Sequence, residues 1–149
     1  MQVQISSPTS AGSPRPKTDS VYAKLGGEPA IHRLVNRFYE LMDELPETHA
    51  LRQLHPPSLA SSTDSLIKFL SGWFGGPPLY MRERGHPRLR MRHASYSINQ
   101  AMRDQWMLCM HMALADQVDD IALLAVVEHA FSNMSDHLIN SEHTTGCPR

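Results

Sequence analysis

The densest chemical feature of this sequence is a basic segment, Gly85-His86-Pro87-Arg88-Leu89-Arg90-Met91-Arg92-His93. Residues of these types fit three interpretations. The basic segment can be a solvated loop, or a phosphate-binding patch, since the planar guanidinium of arginine matches phosphate oxygens. It can also serve a haem, which takes a neutral imidazole on its iron and cations at its carboxylates. The haem interpretation fits the chemistry best, because one short helix would supply both, but spacing alone leaves all three open.

Metal sites made only of side chains are a further possibility, because the chain has nine histidines. A di-iron helical bundle needs paired Glu-x-x-His motifs on facing helices, and no such pair occurs. A structural zinc site needs clustered cysteine and histidine ligands. Cys109 and His111 are close in sequence, but residues two apart point to different sides of a helix. Neither kind of site is therefore predicted.

The elements that must position these residues are helices. Apolar residues recur at spacings of three and four, which predicts four amphipathic helices over residues 28–42, 66–74, 100–116 and 120–139. Pro46 marks the end of the first helix, and Gly75-Gly76-Pro77-Pro78 stops the second. Asn99 or Ser97 caps the third. Alternating strand patterns are absent, so the predicted fold class is all-α.

One folded domain is expected between two tails. Residues 1–20 are rich in serine and proline and are predicted to form a mobile tail, and residues 141–149 look similar. The folded domain then covers residues 21–140. Inside it, residues 79–98 are predicted to be a loop between two good helices. A loop of that length in a compact domain is usually functional, which places the chemistry there.

Composition excludes several classes of protein. Of the 149 residues 41% are hydrophobic and 19% charged, as in a globular chain with a single core. The formal net charge of −1 gives no field that favours nucleic acid or an anionic membrane. No apolar run approaches the roughly 20 residues that span a bilayer, and no secretory signal pattern is present. Cys109 and Cys147 are interpreted as free thiols, so the expected location is the cytoplasm.

Several short motifs together resemble one known family, the group II truncated haemoglobins. The motifs are Tyr22-Ala23-Lys24-Leu25-Gly26-Gly27, Phe38-Tyr39, Leu54-His55-Pro56, Trp73-Phe74-Gly75-Gly76-Pro77, the basic segment and Arg103-Asp104-x-Trp106. Their order and approximate spacing match from about Tyr22 to Asn140. Each motif is weak alone, but the set is specific. The resemblance implies a truncated globin, a two-over-two helical sandwich around the iron of haem b.

The resemblance also assigns roles to individual residues. His93 aligns with the proximal ligand of the haem iron. The residues expected near the haem carboxylates are Arg92, Arg90 and Tyr80. The residues expected to stabilise a ligand on the distal side are Tyr39, Trp106 and His55. The expected distal wall consists of Ser62, Leu66 and Phe69. The expected apolar lining consists of Leu70, Met91, Met107 and Met110, with Met134 as a further candidate.

The implied function is binding of O2 and other small ligands such as NO, CO, peroxide and sulfide. Several distal hydrogen-bond donors would slow the release of O2, which favours detoxification, redox chemistry or sensing over oxygen transport. NO dioxygenation or peroxide-dependent oxidation would need an external reductase, since the chain has no flavin or nicotinamide motif. Two rival hypotheses are a haem-free helical interaction module that binds an anionic partner through residues 82–92, and a haem sensor that signals through its N-terminal tail.

Overall fold

The computed structural model describes residues 19–141, and all regular structure in that range is helical. The elements are α1 Val21–Leu25, α2 Glu28–Glu44, a 3₁₀ turn Pro46–Thr48, α3 His49–Gln53, α4 Ala60–Trp73, α5 Leu79–Arg84, α6 Leu89–Arg92, α7 Gln100–Gln117 and α8 Ile121–His137. The all-α class is therefore confirmed. Within the described range no helix has the length and apolar character needed to cross a bilayer. The predicted tails, residues 1–20 and 141–149, lie almost wholly outside the described residues.

The four predicted helices correspond to α2, α4, α7 and α8. The side chain of Asn99 accepts a hydrogen bond from the Met102 amide at 3.0 Å, so Asn99 and not Ser97 caps α7. The largest difference is at α4, which begins at Ala60, six residues before the apolar pattern. Its first turns carry mainly small polar side chains, so apolar periodicity does not register them.

The segment from residue 79 to residue 98 is more ordered than predicted. It contains α5 and α6, so the loop prediction was wrong for these two helices. Gly85, with φ of +82°, ends α5, and Arg88 precedes α6 in the left-handed region with φ of +45°. Helices of four and six residues are too short to show a periodic apolar pattern. The same reason explains why α1 and α3 were not predicted.

Two pairs of long helices form the fold, α2 with α4 and α7 with α8. α2 also packs against α7, and this contact joins the pairs. The core between them is aliphatic and aromatic, and its most buried large side chains include Ile31, Leu34, Phe38, Leu70, Met110, Leu114 and Phe131.

The same core buries the free thiol of Cys109, and burial raises the pKa of that thiol to about 11, so the thiol stays protonated. Cys147 lies outside the described residues.

Two motifs that are far apart in sequence meet at the start of the domain. The Tyr22 amide donates to the Phe74 carbonyl at 2.9 Å, and the Tyr22 ring lies against Gly76. A Cβ atom on Gly76 would come within 2.5 Å of that ring. Position 76 therefore requires glycine for the close approach of α1 to the end of α4.

Asp120 is expected to matter for stability through its position at the start of α8. Its side chain accepts a hydrogen bond from the Leu123 amide at 3.1 Å. Asp120→Ala is expected to lower the free energy of unfolding by about 1 kcal/mol, the usual cost of losing such a cap. Asp119→Ala is the matched control, because Asp119 is an exposed carboxylate one residue away. Urea denaturation of both variants is the measurement, and equal losses would contradict a capping role.

Candidate functional site

A cavity of about 430 Å³ lies beside the α2–α7 contact and is the candidate site. Its walls come from seven helices, α2 to α8, and from the loops next to them. Nine of the predicted site residues line it, and these are Tyr39, His55, Ser62, Leu66, Phe69, Tyr80, Arg92, His93 and Trp106. The structure therefore brings residues from four of the six sequence motifs to one place.

His93 stands at the end of α6 and lines one side of the cavity. Its Nδ1 lies 2.7 Å from the Leu89 carbonyl oxygen. A carbonyl oxygen can only accept, so Nδ1 carries the hydrogen and Nε2 keeps its lone pair. A neutral imidazole with a free Nε2 and a fixed ring orientation is the form that ligates a metal.

Tyr39 is a buried hydroxyl donor from α2 that lines the same cavity. Its hydroxyl lies 3.5 Å from the Ser62 carbonyl oxygen, which is at the long limit for a hydrogen bond. Burial raises the pKa of Tyr39, so the phenol stays protonated across the physiological range. The hydroxyl is therefore a neutral donor that is only weakly engaged by the protein.

Trp106 lines the cavity from α7 and is held by aromatic neighbours. Its ring centroid lies 5.1 Å from that of Phe38 and 5.4 Å from that of Phe131. These two phenylalanines are fully buried, so the indole is braced against the most rigid part of the core. The indole N–H can act only as a hydrogen-bond donor.

His55 lies beside Tyr39, with 5.9 Å between the ring centroids, but its hydrogen bond changes the role predicted for it. Its Nδ1 is 3.0 Å from the Leu51 carbonyl oxygen, so Nδ1 carries the hydrogen. Burial is the main cause that lowers the pKa of His55, and the nearby charges of Arg52 and His93 act in the same direction. In the neutral ring with this tautomer Nε2 is an acceptor, whereas the sequence-based expectation for His55 is a donor.

The lowered pKa of His55 predicts an acid-sensitive stability. His55 has its ordinary pKa of 6.5 in the unfolded chain and a lower pKa in the folded one. Between these two values the unfolded chain binds more protons, so the free energy of unfolding falls as the pH drops through that range. His55→Gln removes this contribution. We expect the variant to lose less unfolding free energy than the parent between about pH 7.5 and about pH 5.5. His49→Gln, at an exposed histidine, is the control, and identical pH slopes for all three proteins would refute the assignment.

Of the three residues predicted near haem carboxylates, two reach the cavity. Tyr80 and Arg92 line it, and the Arg92 guanidinium lies 5.6 Å from the centre of the Tyr80 ring. The structure contradicts this role for Arg90. Residues two apart on α6 point in different directions, and the Arg90 guanidinium donates to the His137 carbonyl at the end of α8.

The predicted apolar lining is mostly elsewhere. Leu70 and Met110 are fully buried in the helix core, and Met91 is 59% exposed on the outer side of α6. Met107 packs against the core and is not a lining residue. Periodicity identifies a buried face, but it does not separate a cavity wall from a packed core. Met134, the further candidate, does line the cavity, and the structure adds Leu51, Leu54, Leu89, Ile98, Met102 and Leu138.

Arg103 is a lining residue that the sequence analysis placed in a motif without giving it a role. Its Nε lies 2.8 Å from an Asp136 carboxylate oxygen, which joins α7 to α8. Met102 and Trp106, which are four residues apart, share its wall of the cavity. That helical spacing from Trp106 is the signal that would have identified Met102.

The cavity therefore suits a flat apolar group with an anionic edge. It offers an imidazole with a free Nε2 on one side and two neutral donors, Tyr39 and Trp106, in its other walls. Leu66 and Phe69 supply apolar wall, and Arg92 supplies a cation. These residues fit haem. Within residues 19–141 no group of three or more histidine, cysteine, aspartate or glutamate side chains is placed to hold a bare metal ion.

Comparison with known families gives the same answer. Residues 20–140 match the family model described as bacterial-like globin, and they make up most of the chain. The chain belongs to this globin family. The group 2 truncated hemoglobin YjbI of Bacillus subtilis (strain 168) is 33% identical over 118 residues, covering 76% of this globin and 84% of the relative. That similarity identifies the chain as a group II truncated haemoglobin.

Solved structures of group II and other truncated haemoglobins confirm the fold of this globin. It is similar to the cold-adapted truncated hemoglobin of Pseudoalteromonas haloplanktis, with a TM-score of 0.82 and 38% identity over 83% of this chain and 100% of that one. It is also similar to a group II 2-on-2 hemoglobin of Agrobacterium tumefaciens, with a TM-score of 0.82 and 36% identity over 85% and 98% of the two chains. The two-over-two sandwich is confirmed.

Family membership implies that this globin binds small ligands through haem. It does not favour the rival hypothesis of a haem-free helical module with residues 82–92 as its binding surface. The other rival hypothesis, a sensor that signals through the N-terminal tail, rests on residues that mostly lie outside the described part of the chain.

Proposed function

We propose that the chain holds haem b in the 430 Å³ cavity, with His93 as the protein ligand to iron and Arg92 and Tyr80 near the haem carboxylates. The observation that carries the proposal is that one cavity is lined by an imidazole whose Nδ1 is engaged by the Leu89 carbonyl and by two neutral hydrogen-bond donors, Tyr39 and Trp106. When bound, haem supplies an iron centre that coordinates O2, NO, CO, peroxide or sulfide.

Tyr39 and Trp106 would act on the ligand. Bound O2 carries partial negative charge, and preorganised donors stabilise such charge in a site that excludes water. Tyr39 keeps its proton because its pKa is raised, and Trp106 has an N–H that never titrates in water. Both side chains are held by buried aromatic contacts, so they need little reorganisation when a ligand enters.

His55 would act indirectly, through Tyr39. Its Nε2 is an acceptor in the neutral ring, and the two rings pack edge to face. A hydrogen bond from the Tyr39 hydroxyl to His55 would compete with donation from that hydroxyl to a ligand. The balance between these two acceptors would set how firmly a ligand is held.

Strong retention of O2 suits redox chemistry, detoxification or sensing better than oxygen transport. A turnover reaction such as NO dioxygenation or peroxide-dependent oxidation also needs electrons, and we propose that an external reductase supplies them. The cytoplasmic location inferred from composition stays a prediction.

The test is a haem titration of the purified full-length chain, followed by the visible spectrum of the ferrous form. The expected result is uptake of about one haem per chain, as the single site implies, with a Soret band typical of histidine ligation. Rapid-mixing kinetics with O2 and CO then measure retention. Failure to bind haem in a stoichiometric amount would refute the proposed function.

A further inference from the structure

The segment that follows His93 is tied to the end of α8 by one side chain, that of Asn140. The Asn140 Nδ2 atom donates to the His93 carbonyl oxygen at 3.2 Å and to the Tyr96 carbonyl oxygen at 2.9 Å. Its Oδ1 accepts from the Ile98 amide at 2.9 Å. The Asn140 backbone N–H donates to the Ile98 carbonyl oxygen, also at 2.9 Å. One residue thus contacts three points of the turn that starts at the candidate iron ligand.

This set of contacts requires a carboxamide. It uses two donor hydrogens and one acceptor oxygen of the same side chain, which only asparagine and glutamine provide. Asparagine has the shorter reach and loses less conformational freedom on being fixed. An aspartate at position 140 would keep the acceptor for the Ile98 amide, but its carboxylate would face two carbonyl oxygens that it cannot satisfy.

The segment needs such support, because little else holds it. Residues 94–97 are exposed and belong to no helix. Their local hydrogen bonds are the turn contacts from the Ala94 amide to the Met91 carbonyl and from the Tyr96 amide to the His93 carbonyl. A second tie lies on the other side of His93, where the Arg90 guanidinium donates to the His137 carbonyl. Both ties end on the last turn of α8 or directly after it.

We propose that Asn140 is a positioning residue for the proximal imidazole. It holds the His93 carbonyl and the following turn in place, and the hydrogen bond from Nδ1 to Leu89 then fixes the ring. The inference rests on the proposed function, because it takes His93 as the iron ligand. It adds that the end of α8, which is remote in sequence, controls the geometry of that ligand.

The test compares Asn140→Ala and Asn140→Asp with Asn133→Ala. Asn133 is an exposed asparagine on α8 whose side-chain amide approaches His129 at 3.2 Å, away from the proximal turn. The first measurement is amide hydrogen exchange of the full-length chain before haem is added. Exchange across residues 94–98 is expected to accelerate roughly threefold to tenfold in Asn140→Ala, because the three side-chain hydrogen bonds that are lost are exposed and each contributes little. In Asn140→Asp the Ile98 amide is expected to stay protected.

The second measurement is the iron–histidine stretching band of the ferrous haem protein by resonance Raman spectroscopy. Both Asn140 variants are expected to shift or broaden this band, because both lose the donors to His93 and Tyr96. Asn133→Ala is expected to keep the parent band. A general loss of stability near the end of α8 would lower the melting temperature without moving the iron–histidine band. A shift of the band therefore distinguishes positioning of His93 from stabilisation of the fold.

The outcomes are distinct. If the parent protein shows the histidine band and both Asn140 variants retain it unchanged, this inference is overturned while the proposed function stands. If hydrogen exchange accelerates but the iron–histidine band does not move, the hydrogen bonds of Asn140 stabilise the turn without positioning His93, and the inference is again overturned. If the parent protein takes up no haem, the proposed function fails and this inference fails with it.

Discussion

His93→Gly is expected to abolish coordination of the haem iron by the protein while leaving the helical fold intact. His93 lies at the C-terminal end of the four-residue α6 and outside the buried core, so its removal leaves the packing of the long helices unchanged. The loss of the side chain leaves a space of imidazole shape beside Leu89. We expect added imidazole to enter this space and to restore the ferrous histidine-type spectrum.

His86→Gly is the matched control for this experiment. His86 belongs to the same basic segment, but it is exposed, and its Nδ1 accepts a hydrogen bond from the Arg88 amide at 3.2 Å. Its removal is expected to leave the spectrum unchanged. A parent-like spectrum in His93→Gly without imidazole, or loss of the spectrum in His86→Gly, would show that the ligand has been assigned to the wrong histidine.

The second large effect concerns ligand release. Tyr39→Phe removes one neutral donor from the cavity with little change of shape, and Trp106→Phe removes the other together with part of the ring, a loss of volume that the control Trp73→Phe matches. Each is expected to speed O2 dissociation roughly two- to thirteenfold, which corresponds to about 0.5–1.5 kcal/mol per hydrogen bond. The double variant is expected to release O2 roughly 5- to 160-fold faster if the two losses add, although donors to one ligand need not be additive.

Controls for this series are available in the same chain. Tyr22→Phe changes a tyrosine that packs on Gly76, and Trp73→Phe changes a tryptophan that stacks on Phe69 and lies tilted against Phe131. Neither Tyr22 nor Trp73 lines the cavity. Stopped-flow displacement of O2 by CO measures all variants. Rates that rise as much in the controls as in the cavity variants would refute direct stabilisation of the ligand by Tyr39 and Trp106.

The sequence predicted the long elements of the fold because they are longer than three turns and have one apolar face. The start of α7 followed from Asn99, one of the two residues predicted to cap it. A short helix before His93 was expected only in the haem interpretation, and apolar periodicity did not predict α5 or α6, which contribute Tyr80, Leu89 and Arg92 to the cavity. Their order depends on Gly85 and on contacts with α4 and α8, and such contacts are not visible in a local pattern.

The candidate site was predicted from motifs more successfully than from physical patterns. The family resemblance named nine residues that line the cavity, from His93 to Phe69. The apolar pattern failed for Leu70 and Met110, because a residue that faces a cavity and one that faces the core have the same periodicity. The acceptor role of His55 depends on the position of the Leu51 carbonyl, which only the three-dimensional structure gives.

The uneven distribution of charge along the chain should make the rate of haem uptake depend on salt. The basic segment carries three arginines and no carboxylate, whereas the whole chain has a formal charge of −1, so the other residues sum to −4. The two carboxylates of haem are anionic, and the arginines of the basic segment attract them on the side where Pro87, Leu89 and Arg92 line the cavity. Loading should therefore slow as salt shortens the Debye length from about 30 Å at 0.01 M to about 8 Å at 0.15 M. Unloading breaks short-range contacts inside the cavity, so its rate should depend much less on salt.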